Sequence, residues 1–361
     1  MKKLISFLLA LTFVLTLCAC GQTSSGTQTA PAASAAASAA ASASKSAAAS
    51  APSNAVVMKF AGTTTADPNL GEYQAMLKFE ELVEKYSNNS IDVQVYPASQ
   101  LGGSVEFTEA VGLGEVESCM VGFDGLGNLQ KEMYALCMPY LYTDNDQLRP
   151  ILEGDTAARK AIDESLAKVN MEIVGISYRP FRVMANNKHA VKSPADLKGI
   201  AVRSPSSAAN TAIIQALGAN PTTISWSEVF TSMQQGACDG VENAITELYS
   251  INLQEATKYV SETNHMAAPI PIVVCKSWFD GLTADQQSAI QKAGQEVTDW
   301  RAENVKEEEA TAWKAFADAG AQCLRMKDID LAAFQDACKD VYKQFVKDGY
   351  FTEEFYNALK S

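Results

Sequence analysis

The sequence predicts an α/β fold, and three observations carry that prediction. From Met58 onward, short runs of alternating apolar and polar residues give way repeatedly to apolar residues at helical spacing. The joints between them hold Gly, Pro, Ser and Asn, the residues a turning chain requires. Hydrophobic residues make up 47% and charged residues 20% of the 361-residue chain, a composition that packs a core.

The elements follow in order. Met58 to Phe60 is a short strand leading into the small-residue loop Ala61-Gly62-Thr63-Thr64. Tyr73, Met76, Leu77, Leu82, Val83 and Tyr86 then form a stripe of helical period, which Asn88-Asn89 stops. Ile91, Val93 and Val95 alternate with Asp92 and Gln94, a strand running out to Tyr96-Pro97. The rhythm recurs as a helix from Ser104, a strand near Cys119 to Val121, a helix from about Asp146 to Val169 and a strand from Glu172 to Ser177.

The middle third is punctuated clearly. Ser193-Pro194 opens a helical turn closed by Gly199, and the strand Ile200-Ala201-Val202 delivers Arg203 into a Ser204-Pro205-Ser206-Ser207 turn. A helix follows from about Ala208 to Leu217. Ser225 and Glu228 have capping-box spacing at the start of a helix from Ser227 to Gln235, ended by Gly236, and Val241-Glu242 begin another strand. Strand ends bearing polar groups and facing helix N-termini are where α/β folds hold ligands.

Thr283 and Gln286 repeat the capping pair. The segment from Ala284 to about Ala319 has no proline and only Gly294 as an interior break, so it is either one helix bracing two lobes or two helices hinged at Gly294. Helices from Leu331 to Lys347 and from Thr352 to Leu359 finish the chain.

The N-terminus reads as an address. Lys2 and Lys3 precede the apolar run Leu4 to Leu17, too short to span a bilayer comfortably and laid out as an export signal. It ends Leu17-Cys18-Ala19-Cys20-Gly21, which resembles a bacterial lipobox. Cys20 has Leu at −3, a small residue at −1 and Gly at +1, which favours it over Cys18 as the lipidated first residue of the mature protein; an uncleaved anchor is the alternative. From Ala30 to Ser53 there are 14 Ala and 7 Ser in 24 residues, with no large apolar side chain to pack. That composition is a tether, and as a flexible coil its reach is about 25–30 Å. The expected organisation is a signal peptide over 1–19, lipidated Cys and tether over 20–54, and a folded body over 55–361.

Charge excludes some functions. The chain has 42 acidic against 29 basic residues, a net charge of −13, and no basic stripe, so it lacks the field that nucleic-acid binding needs. An anionic ligand must be held by a few well-placed cations. No GxSxG, HExxH, Walker A or GxGxxG motif occurs, and His189 and His265, without companions at metal-binding spacing, read as surface or capping residues. Nothing points to an enzyme, a metal or a cofactor. The widely spaced Cys119, Cys137, Cys238, Cys275, Cys323 and Cys338 read as mostly buried thiols, with Cys323 to Cys338 the pair to watch for a bridge.

Several longer stretches carry a resemblance. They are Tyr96-Pro97-Ala98-Ser99-Gln100-Leu101-Gly102-Gly103, Met138-Pro139-Tyr140-Leu141-Tyr142-Thr143-Asp144, and above all Ser193 to Arg203, Ala216 to Pro221, Trp226 to Phe230 and Gln234 to Asn243. In this order they resemble the solute-binding subunit of TRAP transporters, the dicarboxylate-binding DctP-type family, here in a lipoprotein form. The resemblance implies a two-lobed, periplasmic-binding-protein-like fold with crossing strands and a long lobe-spanning helix. Lobe I would take approximately 55–179 and 267–310, and lobe II 180–266 and 311–361.

The resemblance also implies the site. Arg203, at the end of "KGIAVR", would pair with a substrate carboxylate, for which its planar, permanently charged fork is suited. Arg182 is the second candidate and Arg179 its structural rival. Asn243 would donate its amide, Trp226 would wall the pocket, and Thr63, Thr64 and Tyr73 would face the ligand from lobe I. The family commonly has Pro where Ala244 stands and Gln where Val241 stands.

The expected function is that of an exported receptor on the extracytoplasmic face of the cell membrane, which captures a small organic acid, C4-dicarboxylates being the family's namesake, and delivers it to a TRAP permease. A surface sensor using the same ligand-closing fold is the alternative reading.

Overall fold

The computed structural model describes residues 54–360. The export signal, Cys20 and the Ala/Ser tether lie outside the described residues. No helix among the described residues is long and apolar enough to cross a membrane.

Two sheets organise the body. The first consists of β1 (Val56–Gly62), β2 (Ile91–Tyr96), β3 (Ser118–Met120), β4 (Met171–Ser177) and a later strand, Ile270–Cys275. The second consists of β5 (Arg182–Asn186), β6 (Ala201–Ser204), β7 (Asn220–Thr223), β8 (Gly240–Ala244), β9 (Tyr259–Ser261) and, beyond β10 (Ile270–Cys275), β11 (Gln322–Leu324). Strand order is β2-β1-β3-β10-β4 in one and β11-β9-β5-β8-β6-β7 in the other. The neighbours β1 and β2 are parallel, whereas β10 runs antiparallel to β3 and β4, and β5 to β8 and β9.

That pattern follows from three crossings between lobes. The chain leaves the first sheet after β4 and enters the second at β5, returns between β9 and β10, and crosses again on one unbroken helix, Ala284–Asp318. The capping box at its start is formed: Gln286 N–H donates to Thr283 Oγ1 and the Gln286 side chain accepts from the Thr283 N–H. Ile290, Ala293 and Val297 pack with Met58, Phe79 and Ile272 of the first lobe. Ala312, Trp313 and Phe316, further along, pack with Val183, Val241 and Ile245 of the second. Gly294 is a contact and not a hinge: it lies on Gly175 of β4, and a Cβ there would collide with the Val174 carbonyl. A third core binds the C-terminal helices to both lobes, with Phe345 and Leu359 among Tyr134, Tyr142, Val202 and Ile213.

Local structure departs from the sequence reading at several places. The first strand is longer than Met58 to Phe60, because its pairing with β2 runs from Val56 to Ala61. The stretch from Asp146 to Val169 is two helices, Asn145–Glu153 and Ala157–Ala167, since Thr156 starts the second by accepting the Arg159 N–H. The segment from Leu331 to Lys347 likewise divides into Leu331–Cys338 and Val341–Lys347. Ser225 makes no side-chain cap; Trp226–Glu228 is a tight 3-10 turn before the helix Val229–Gln235. A helix at Phe123–Leu129, unmarked by a clear stripe, places a residue in the site. Asn88 and Asn89 do stop the first helix, Gly71–Tyr86, with left-handed backbones at φ 52° and 60°. All six described cysteines are free, and all but Cys323 are buried.

Candidate ligand-binding cleft

Between the lobes lies a cleft of about 460 Å³, within the range that holds a small organic molecule. Thr63, Gly122 and Asp124 reach it from the first lobe, and Arg203, Trp226 and Asn243 from the second. Strand β6 carries Arg203 into the wall, where it is only 3% exposed. Its Nε donates to the Ile224 carbonyl at 2.8 Å, and the guanidinium lies over the Trp226 ring, 5.4 Å from the centroid. Among the described residues no carboxylate lies within ion-pair distance of it. Burial, together with the neighbouring Arg182 charge, lowers the Arg203 pKa to about 10. An uncompensated buried cation is costly, and an anion in the cleft would relieve that cost.

Arg182 is differently placed. It also lines the cleft, but its Nε and Nη2 both grip the Glu242 carboxylate on the adjacent strand, and Nη2 bonds the Glu242 carbonyl as well. Asn210 Nδ2 donates to Glu242 Oε1 at 3.0 Å, and His265 Nε2 lies 3.2 Å from Oε2. Burial acts to raise the Glu242 pKa, but Arg182 and the hydrogen bonds from His265 and Arg182 outweigh it and hold it at about 2. The ionised carboxylate can only accept, so His265 donates through Nε2 while its Nδ1 meets the Thr263 hydroxyl at 2.8 Å. His265 is therefore a buried member of a polar network and not a surface residue. His189 is exposed and bonds the Asp196 carbonyl.

A second network stands where the lobes meet. Arg179 Nε lies 3.1 Å from Glu72 on the first helix, and its Nη1 lies 3.6 Å from Glu247 on the helix Ile245–Ser250. Burial, then the nearby Glu247, push the Glu72 pKa up to about 8 against the pull of Arg179 and Arg301. The raised value favours the protonated form of Glu72, which faces Glu247 across the lobes. Arg179 is thus balanced by Glu247, and its Nε donates to the Ala268 carbonyl at 2.8 Å.

Of the residues singled out from the sequence, Arg203, Arg182, Asn243, Trp226 and Thr63 come together in the cleft. Asn243 Oδ1 accepts the Ala244 N–H at 2.9 Å, which leaves Nδ2 as the end available to a ligand. Proline, expected at 244 from the family resemblance, has no N–H to hold the amide this way. Thr64 is buried, with its carbonyl accepting the Ala98 N–H, and Tyr73 lies on the first helix; neither lines the cleft. Sequence reading missed Asp124, Glu242, Glu72 and Glu247. No motif marks these acids among the 42 of the chain, and only the strand register and the helix placement bring them to the site.

Two α/β lobes joined by three crossings, with a cleft between them whose walls carry an unmatched arginine, define a solute-binding protein. The family model described as bacterial extracellular solute-binding protein, family 7, matches residues 62–348, and the chain belongs to that family, the DctP-type solute-binding proteins of TRAP transporters. These are receptors and not enzymes. The chain is 34% identical over 270 residues to the C4-dicarboxylate-binding periplasmic protein DctP of Rhodobacter capsulatus, covering 73% of this chain and 78% of that one. Its fold is similar to that of a TRAP periplasmic solute-binding protein from Roseobacter denitrificans with bound β-D-glucuronate, at TM-score 0.79 and 22% identity over 84% of this chain and 99% of that one. It is similar too to one from Shewanella oneidensis with bound succinate, at TM-score 0.77 and 25% identity over 85% and 98%.

Proposed function

We propose that this chain captures a small carboxylate-bearing solute between its lobes, with Arg203 pairing with the carboxylate, and delivers it to a TRAP permease in the membrane. The observation that carries this reading is Arg203 itself, a buried guanidinium on the cleft wall with no acid within ion-pair distance among the described residues. Asn243 Nδ2 donates to the ligand, Trp226 closes one wall and Thr63 contacts it from the first lobe, while Arg182, held by Glu242, lines the cleft beside Arg203. Glucuronate and succinate in similar structures support an organic acid as the class.

The lobe boundaries near 180, 267 and 311 fit the two sheets, with the C-terminal helices clasping both. The lipid anchor on Cys20 and the tether would hold the body on the extracytoplasmic face, beside the permease. Cys20→Ser is expected to move the protein from the membrane fraction to the soluble exported fraction; retention in the membrane would contradict the anchor.

Calorimetry of the full chain against a panel of organic acids tests the pairing. Arg203→Ala and Arg203→Lys should weaken the best ligand about 100-fold or more, since each removes the two-pronged partner of a buried carboxylate. Without ligand, Arg203→Ala should melt no lower than the parent, because it removes a buried charge that has no ion-pair partner. Variants that bind the best ligand as tightly as the parent would refute the pairing.

A further inference from the structure

Resting on the reading of Arg203 as the carboxylate anchor, we propose that Asp124 selects the ligand: the solute carries one carboxylate, on Arg203, and presents hydroxyl groups to Asp124. Three arginines line the cleft, yet two of them are already matched. Arg182 is gripped by Glu242, and Arg179 lies 3.6 Å from the Glu247 carboxylate. Only Arg203 among these three has a charge to spare, so the wall offers one anion site.

The facing wall offers the opposite sign. Asp124 lines the cleft from the first turn of Phe123–Leu129, and its carboxylate makes no hydrogen bond or ion pair among the described residues. It is near enough to Arg203 and Arg182 to act electrostatically on both. Room is made for it: a Cβ on Gly122 would collide with Asp124 Oδ1, so the glycine lets the carboxylate stand at the cleft surface. A second ligand carboxylate reaching this wall would meet a like charge with Arg203 already taken by the first, whereas a hydroxyl would donate to Asp124 in a charge-assisted hydrogen bond.

The rest of the lining suits the same ligand. Thr63, Ser104, Ser206, Thr223, Ser225 and Ser227 all border the cleft, and none of their hydroxyls has a hydrogen-bond partner among the described residues. Hydroxyls both donate and accept, which matches the groups along a hydroxylated acid.

Calorimetry of the full chain with glucuronate and erythronate against succinate and glutarate tests this. The better hydroxylated monocarboxylate should bind the parent at least tenfold more tightly than the better dicarboxylate. Asp124→Asn and Asp124→Ser should each cut that ratio at least tenfold, chiefly by strengthening the dicarboxylate, with melting temperatures unchanged. A parent that binds the dicarboxylate as well or better, or variants that weaken both acids by the same factor, would overturn the role of Asp124 and leave the Arg203 pairing standing. If Arg203→Ala binds every acid as the parent does, the pairing itself falls.

Discussion

Arg203 and Arg182 are only a strand apart in the second sheet, but the company they keep separates their roles. Arg182 shares its charge with Glu242 inside a closed set of hydrogen bonds, so the pair serves the fold. Removing one partner of a buried pair leaves the other stranded, and Glu242→Gln should cost about 3–5 kcal/mol. Urea unfolding measures it, and a loss below about 1 kcal/mol would show that Arg182 finds another partner. The two buried glutamates also set opposite pH dependences. Glu242, held at about 2, contributes stability that is present above the ordinary glutamate value of 4.5 and lost as pH falls toward 2. Glu72, raised to about 8, keeps in the folded state a proton that the unfolded chain releases near 4.5, so its contribution is full below that value and lost as pH rises toward 8. Glu72→Gln keeps the size and neutrality of the protonated side chain without titrating. It should therefore flatten the fall in urea midpoint between about pH 5 and 8, and an unchanged slope would contradict the raised Glu72 value.

At the scale of elements, the long helix shows what is legible in a sequence and why. Its start is local chemistry, Thr283 with Gln286, and its continuity follows from the absence of proline; both can be read directly. Whether Gly294 is a hinge cannot be read, because the answer lies in Gly175, far away in sequence and in contact only after folding. Gly294→Ala would force the helix off β4 and should destabilise the body by about 3 kcal/mol, measured by thermal melting. A neutral outcome would mean the helix can shift without loss. The strand that carries Arg203 was legible for the same reason as the helix start, since Pro194, Gly199 and the Ser207 cap punctuate it locally. Asp124 and the acids that neutralise Arg179 and Arg182 were not, because a lone acid in a chain with 42 of them has no local signature. The longer helices expected from Asp146 and from Leu331 failed where apolar spacing ran on across a break, at Thr156 in one case and between Cys338 and Val341 in the other.

On the scale of the whole molecule, a net charge of −13 and an anionic solute are compatible only because selection is local. The exposed surface repels anions weakly at physiological salt, where charges further apart than about 8 Å are screened, while the cleft confronts the solute with one unmatched guanidinium at close range. The lobes, the crossings and the long helix all serve to place that group opposite Thr63 and Asp124. The most direct measurement is a crystal structure of the protein with its best-binding organic acid. The ligand carboxylate should sit between the lobes in two-pronged contact with Arg203, with Arg182 still on Glu242. A carboxylate bound to Arg182 or Arg179 with Arg203 left vacant, or a ligand outside the cleft, would contradict it.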